Sequence, residues 1–152
     1  MPANPYEKRS GDALVSDDPS RLDLDIVHGF LSRSYWAEGI ARETVARSIA
    51  GSLAFGLYLE QTGRQVGFAR VITDRVTFAY LADVFLLEEE RGRGLAAFLM
   101  EAILAHPELQ GLRRWSLVTR DAHGLYRKFG FVPLASPDLW MELHRPYRGG
   151  AA

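Results

Sequence analysis

A chain of 152 residues, 47% apolar and 24% charged, is long enough to bury a core and has the balance of a globular protein. Its formal charge of −1 leaves no global field to attract nucleic acid or an anionic membrane. With no cysteine, disulfides, thiolate nucleophiles and Cys-ligated zinc are excluded; the four scattered histidines lack ligand spacing, so no metal is expected.

The N-terminal stretch "MPANPYEKRSGDA" has no apolar signal core, and residues 1–10 read as a loose tail, as do residues 146–152. No uncharged stretch reaches the roughly 20 residues that span a bilayer. A cysteine-free chain of this kind fits a reducing, cytoplasmic setting. "DALVS" predicts a short first strand. "SDDPSRLDLDIVHGFLSRS" carries capping residues and then Leu24, Val27, Phe30 and Leu31 at helical spacing. "YWAEG" is a break, and "ARETVARSIAGS" is a second short helix closed by Gly51.

The period then changes. "LAFGLYLE", "VGFARVITD" and "TFAYLADVFLL" read as three strands joined by turns too short for parallel crossovers, and so as antiparallel neighbours. A helix follows with Leu95, Phe98, Leu99, Ala102 and Ile103 on its buried side, ended by Pro107. "RRWSLVT" is a further strand, "DAHGLYRKFGF" a short helix stopped at Gly130, and "LWMEL" a last strand. The order β, α, α, β, β, β, α, β, α, β predicts an α/β domain over residues 1–152. Its sheet is mixed and mostly antiparallel, with a central parallel βαβ unit and helices on both faces.

Gly92 and Gly94 stand at the entrance of the central helix between Arg91 and Arg93. Glycine costs helix stability, so its repeated use there points to a bent backbone or a close approach. A helix N-terminus exposes unpaired N–H groups that favour an anion, and the basic flanks agree with one. "GRGLAA" also fits the dinucleotide fingerprint G-x-G-x-x-A, but "EEER" separates it from its strand and it comes after a meander instead of in an opening βαβ unit. A plain glycine turn with solvated arginines is the third reading of these residues alone.

In its context, "ADVFLLEEERGRGLAAFLM" resembles the acetyl-CoA-binding segment of the GNAT N-acetyltransferase superfamily, whose signature Arg/Gln-x-x-Gly-x-Gly/Ala is matched at Arg91, Gly94 and Ala96. "DAHGLYRKFGF" is similar to the family's helix ending in Leu-Tyr-x-Lys-x-Gly-Phe, and the resemblance covers about residues 53 to 133 in matching element order. It implies a GNAT-like fold in which coenzyme A lies with its diphosphate on the amides of Arg91, Gly92, Arg93, Gly94, Leu95 and Ala96. Its pantetheine arm then pairs with the backbone of Val84, Phe85 and Leu86, in a gap between that strand and "RWSLVT". Where the family often has Asn seven residues before the helix tyrosine, this chain has Thr119, whose hydroxyl can make one such bond.

Acetyl transfer to an amine needs a neutral amine, a donor for the developing oxyanion and a proton for the departing thiolate. By spacing alone Tyr126 is a core aromatic; by resemblance it is the acid that protonates the coenzyme sulfur, and it also borders the cofactor. The amides around Val84 to Leu86 are the implied oxyanion donors. Asp83, a strand carboxylate among apolar neighbours, either receives the substrate ammonium, relays its proton through water, or bonds a neighbouring loop. Tyr80 and Asp74 are weaker choices for that base. Tyr35 and Trp36 wall the acceptor pocket or anchor their own loop, and Arg70, Arg120 and Trp140 could face the same pocket. His123 reads as solvent-facing. The expected activity is direct acetyl transfer from acetyl-CoA to a small-molecule or protein amine, with a non-catalytic coenzyme-binding module as the alternative. The open edges of such a sheet allow a homodimer, and neither nucleic acid nor membrane is an expected partner.

Overall fold

The computed structural model describes residues 4–147. Six strands form one sheet in the order β1-β2-β3-β4-β5-β6: β1 Glu7–Ser10, β2 Ala13–Ser16, β3 Leu53–Leu59, β4 Arg64–Thr73, β5 Phe78–Leu86 and β6 Arg114–Leu117. All neighbours are antiparallel except β5 and β6, which pair in parallel. The short turns force the antiparallel meander, and the parallel step needs a crossover, supplied by helix α3, Leu95–Leu104.

Strand β3 is buried along almost its whole length, because helices cover both faces of the sheet. On one side α1, Leu24–Leu31, and α2, Arg42–Ala50, pack Val27, Leu31 and Val45 onto Phe68 and Phe85. On the other, α3 sets Phe98, Leu99, Ala102 and Ile103 against Phe55, Leu57 and Val71, with Tyr126 of the short helix α4, His123–Arg127, in the same cluster. Asp23 caps α1 by accepting from the amides of Asp25 and Ile26, as its residue type favours.

Two expectations need correction. Residues 7–10 are not a loose tail; they pair with β2 from Glu7↔Ser16 to Ser10↔Ala13. Their charged sequence has no strand pattern, and the pairing is held from outside. The Tyr6 hydroxyl donates to Ala102 O at 2.9 Å, its amide donates to Asp17 Oδ1 at 2.8 Å, and its ring meets the buried His106 edge-on. At the other end "LWMEL" is not a strand. Pro137–Leu139 form a single 3-10 turn, nothing regular follows through residue 147, and among the described residues β6 pairs only with β5. Pro137 presets that turn and has no N–H for a ladder. Residues 1–3 and 148–152 of the two expected tails lie outside the described residues.

Candidate active site

The centre of the site is an irregularity in β5. Phe68 pairs with Phe85 and Arg70 with Ala82, so Asp83 and Val84 together oppose the single residue Ala69. This is a β-bulge, and Asp83 occupies the left-handed region at φ 57°. Aspartate tolerates that region better than most side chains do. The bulge turns β5 away from its parallel neighbour: pairing with β6 runs from Phe78↔Arg114 to Leu81↔Leu117 and stops there. From Ala82 to Leu86 the β6-side backbone edge of β5 has no strand partner. The side chain of Phe85 is in the core, stacked on Phe30 with ring centroids 4.0 Å apart, so only its backbone serves the gap.

Both Asp83 oxygens are engaged. Oδ1 accepts from Trp36 Nε1 at 2.9 Å and Oδ2 from Arg70 Nε at 2.9 Å; Arg70 in turn donates to Ser52 Oγ at 3.1 Å. The Asp83 side chain is 9% exposed and that of Arg70 16%. Of the three roles open to Asp83, the geometry thus contains a bond to a neighbouring loop. Arg70 had been identified only as a pocket-facing residue, and the ion pair it forms is not readable from residues 13 positions apart. Tyr80 is half-buried on the same strand; burial and then the charge of Asp83 push its phenol above the ordinary value. Asp74 lies at the β4–β5 turn, at the far end of β5 from Asp83, where its carboxylate accepts from the Thr77 hydroxyl and three backbone amides.

Beyond β5 the chain makes a 3-10 turn at Glu88–Glu90 and enters α3 through the glycines. Gly92 and Gly94 have φ of 85° and 74°, a conformation that favours glycine, and a Cβ added at either would meet nothing within 4 Å. Gly94 is the N-cap of α3, and no side chain caps the helix. Its first amides and the positive end of its dipole therefore face open space. Arg93 is ion-paired with Glu90, whereas exposed Arg91 has no ion pair among the described residues.

Helix α4 brings in Tyr126, 7% exposed, its phenol pushed up to about 12 by burial first and by Tyr35 and Asp121 second. Thr119 supports this helix by accepting from the Ala122 amide at 3.0 Å, which leaves its hydroxyl proton free for another partner. Exposed His123 opens the helix.

The loop between α1 and α2 spans the divergence. Trp36 reaches the bulge through Asp83, while the Tyr35 hydroxyl accepts from the Arg120 amide at 3.1 Å and the Arg120 guanidinium lies 3.9 Å from the Tyr35 ring centroid. The two rings meet edge-on at 5.0 Å. Sequence reasoning named all three residues but could not pair Tyr35 with a residue 85 positions away. Trp140 stands apart from this bridge, its ring under the Arg114 guanidinium at 5.4 Å.

A bulged strand diverging from a parallel neighbour beside an uncapped, glycine-entered helix is thus the geometry on hand. The family model "Acetyltransferase (GNAT) domain" matches residues 52–133, more than half of the chain and all of this site except the α1–α2 loop. The chain belongs to the GNAT acetyltransferase family. A candidate acetyltransferase of Gibberella zeae is 33% identical over 82% of this chain and 81% of its own length. The crystal structure of a candidate GNAT acetyltransferase from Xanthomonas campestris is 52% identical, covers 88% of this chain and 94% of that one, and superposes with a TM-score of 0.84. A Mycobacterium tuberculosis protein solved with CoA shares the fold alone, at 14% identity and TM-score 0.63 over 79% of this chain and 72% of that one. The mixed six-stranded sheet is the GNAT fold, and no described helix is long and apolar enough to cross a membrane.

Proposed function

We propose that this GNAT acetyltransferase moves an acetyl group from acetyl-CoA directly to a primary amine, with both substrates bound together. The observation that carries this reading is the divergence of β5 from β6 after Leu81 and Leu117, with the bare N-terminus of α3 and Tyr126 beside it. The residues fit the coenzyme: Gly92 and Gly94 leave space over the helix-entry amides and, among the described residues, Arg91 has no competing carboxylate and the β5 edge has no strand partner beyond Leu81. The related fold solved with CoA supports the same choice.

In this reading the amides of Arg91 to Ala96 and the Arg91 guanidinium bind the diphosphate. The backbone of Val84 to Leu86 binds the amide-bearing arm, and its N–H groups stabilise negative charge developing on the acyl oxygen. Acetyl-CoA, when bound, supplies a thioester open to attack by an amine. Tyr126 retains its proton at neutral pH, since its pKa is near 12, and gives it to the sulfur as the thiolate leaves. Asp83, held by Trp36 and Arg70, keeps further lone pairs with which to receive the ammonium or pass its proton to water. Tyr35 and Trp36 wall the acceptor, with Tyr80 on the adjoining strand. The lack of cysteine fits direct attack over a thioacyl-enzyme.

The test is acetyl-CoA with a library of small amines, amino acids and lysine peptides, read by free thiol and by product mass. Amine-dependent thiol release with an acetylated product is expected. Coenzyme binding without turnover on any amine would leave a binding module, and a melting shift with NAD but none with coenzyme A would remove the coenzyme assignment.

A further inference from the structure

Where β5 and β6 diverge, the α1–α2 loop lays two rings between two charged groups. Tyr35 and Trp36 are 46% and 39% exposed, so an acceptor can reach them from solvent. On the β5 side Trp36 donates to Asp83; on the β6 side Tyr35 carries Arg120. Arg120 is clamped twice to that one side chain: its amide donates to the Tyr35 hydroxyl at 3.1 Å, and its guanidinium lies 3.9 Å from the ring centroid. A guanidinium held on a ring is pre-ordered and still presents N–H donors at its rim. The neighbouring cations differ. Arg70 donates to Asp83 and Ser52, and Arg33 lies back along α1, with Nη1 3.9 Å from where a Gly29 Cβ would stand. Exposed Arg120 has no carboxylate partner among the described residues, Asp121 beside it included. Tyr35 is also close enough to Tyr126 to help raise its phenol, so Arg120 rests beside the reacting end of the site.

We propose that Arg120 selects the acceptor, a primary amine that also carries a carboxylate, and holds that carboxylate on its guanidinium while Asp83 faces the amine. This rests on the acetyl-transfer reading above and names the class of its acceptor. A guanidinium fork meets a carboxylate with two parallel N–H···O bonds. One positive charge balances one carboxylate. A phosphate monoester, at about −2, needs a second cation, and the nearest, Arg70, is already paired with Asp83. The exposed rings of Tyr35 and Trp36 cover the apolar link between the acceptor's two charged ends. A neutral amine of the same shape leaves the guanidinium in water and gains nothing from it.

Matched acceptors test it: glycine, β-alanine and 4-aminobutyrate, each against its carboxamide, with 2-aminoethylphosphonate beside them. Arg120→Gln should lower the acid-to-amide ratio of kcat/KM roughly 10- to 100-fold for at least one pair, the range for a lost charged hydrogen-bond partner. Comparing wild type with variant cancels differences in amine basicity. Arg120→Lys keeps the charge without the fork and should fall between the two. An unchanged ratio, or equal losses on acid and amide, would make Arg120 an anchor of the Tyr35 loop and overturn the proposal. So would a preference for the phosphonate over every carboxylate, or acetylation of other amines with none of the acids used. Melting shifts in the presence of coenzyme A read the same preference without turnover. Acid-selective binding that depends on Arg120, with no acetylated product, would keep the carboxylate site and remove the acetyl-transfer reading. Acetylation of acids and amides alike would do the reverse.

Discussion

Trp36 and Asp83, 47 residues apart, share a hydrogen bond of 2.9 Å that ties the α1–α2 loop to the β5 bulge, while the other Asp83 oxygen holds Arg70. Removing the carboxylate leaves a largely buried guanidinium without its partner. Asp83→Ala should lower unfolding stability by about 3 kcal/mol, the low end for one half of a buried ion pair. Asp83→Asn should cost about 2 kcal/mol, less than alanine because an amide still accepts from Trp36 and asparagine tolerates the left-handed backbone, while Arg70 still loses its charged partner. Urea unfolding separates the two. In kinetics, Asp83→Asn should raise the acceptor KM and leave acetyl-CoA affinity intact; loss of the acidic limb of the pH–rate profile would mark Asp83 as the base. An acceptor KM and kcat equal to wild type would remove Asp83 from the site.

Gly94 has φ 74° and open space where a Cβ would stand, so its substitution separates backbone strain from ligand contact. Gly94→Val should cost the free protein about 1–2 kcal/mol for the left-handed backbone. It should also abolish the rise in melting temperature caused by acetyl-CoA, because the branched side chain enters the diphosphate space. Retention of that rise would place the coenzyme elsewhere.

Tyr126→Phe should leave acetyl-CoA affinity nearly unchanged and lower kcat by ~10²-fold, the range for a lost general acid. An unchanged kcat with chemistry rate-limiting would make Tyr126 a packing residue only.

The raised pKa of Tyr126 has a stability consequence with a definite sign. Its folded pKa of about 12 stands above the ordinary 10.0, so between those values the native state holds a proton that the unfolded chain has released. The associated stability is complete below pH 10 and is lost as pH rises toward 12. Tyr126→Phe should therefore lose less stability than wild type over that interval, with equal slopes below it, in unfolding measured as a function of pH. Parallel curves up to pH 12 would contradict the shift.

A Cβ at Gly56 would stand 2.3 Å from the Tyr58 hydroxyl oxygen, and that hydroxyl is buried without a partner. Gly56→Ala should destabilise by about 1–3 kcal/mol through overpacking. Tyr58→Phe should be neutral or stabilising, since it removes an unsatisfied polar atom, but it should not rescue Gly56→Ala, because ring carbons 2.5 and 2.7 Å from the new Cβ remain. Recovery of most of the loss in the double variant would show that the hydroxyl alone makes the clash.

Strands β3 to β5 and helix α3 were legible because alternation, turn length and helical spacing are properties of neighbouring residues. The glycine entrance was legible for the same reason: a left-handed N-cap at Gly94 is a local backbone demand, and the side chain it excludes is its own. Asp83 and Tyr126 could be named from residue type, strand context and motif. Their surroundings could not. That Asp83 sits in a bulge depends on how Phe68 and Arg70 of another strand align with it, and the Tyr35–Arg120 contact joins loops 85 residues apart. The two errors at the chain ends have one cause. "EKRS" has no strand pattern yet is a strand, because β2 offers an edge and Tyr6 is held by Ala102 and Asp17; "LWMEL" has the pattern and is none, since it faces β6 across a cavity and bonds no strand among the described residues. A helix satisfies its hydrogen bonds from within its own sequence, whereas a strand exists only where another strand accepts it, and that partner is chosen by the tertiary fold.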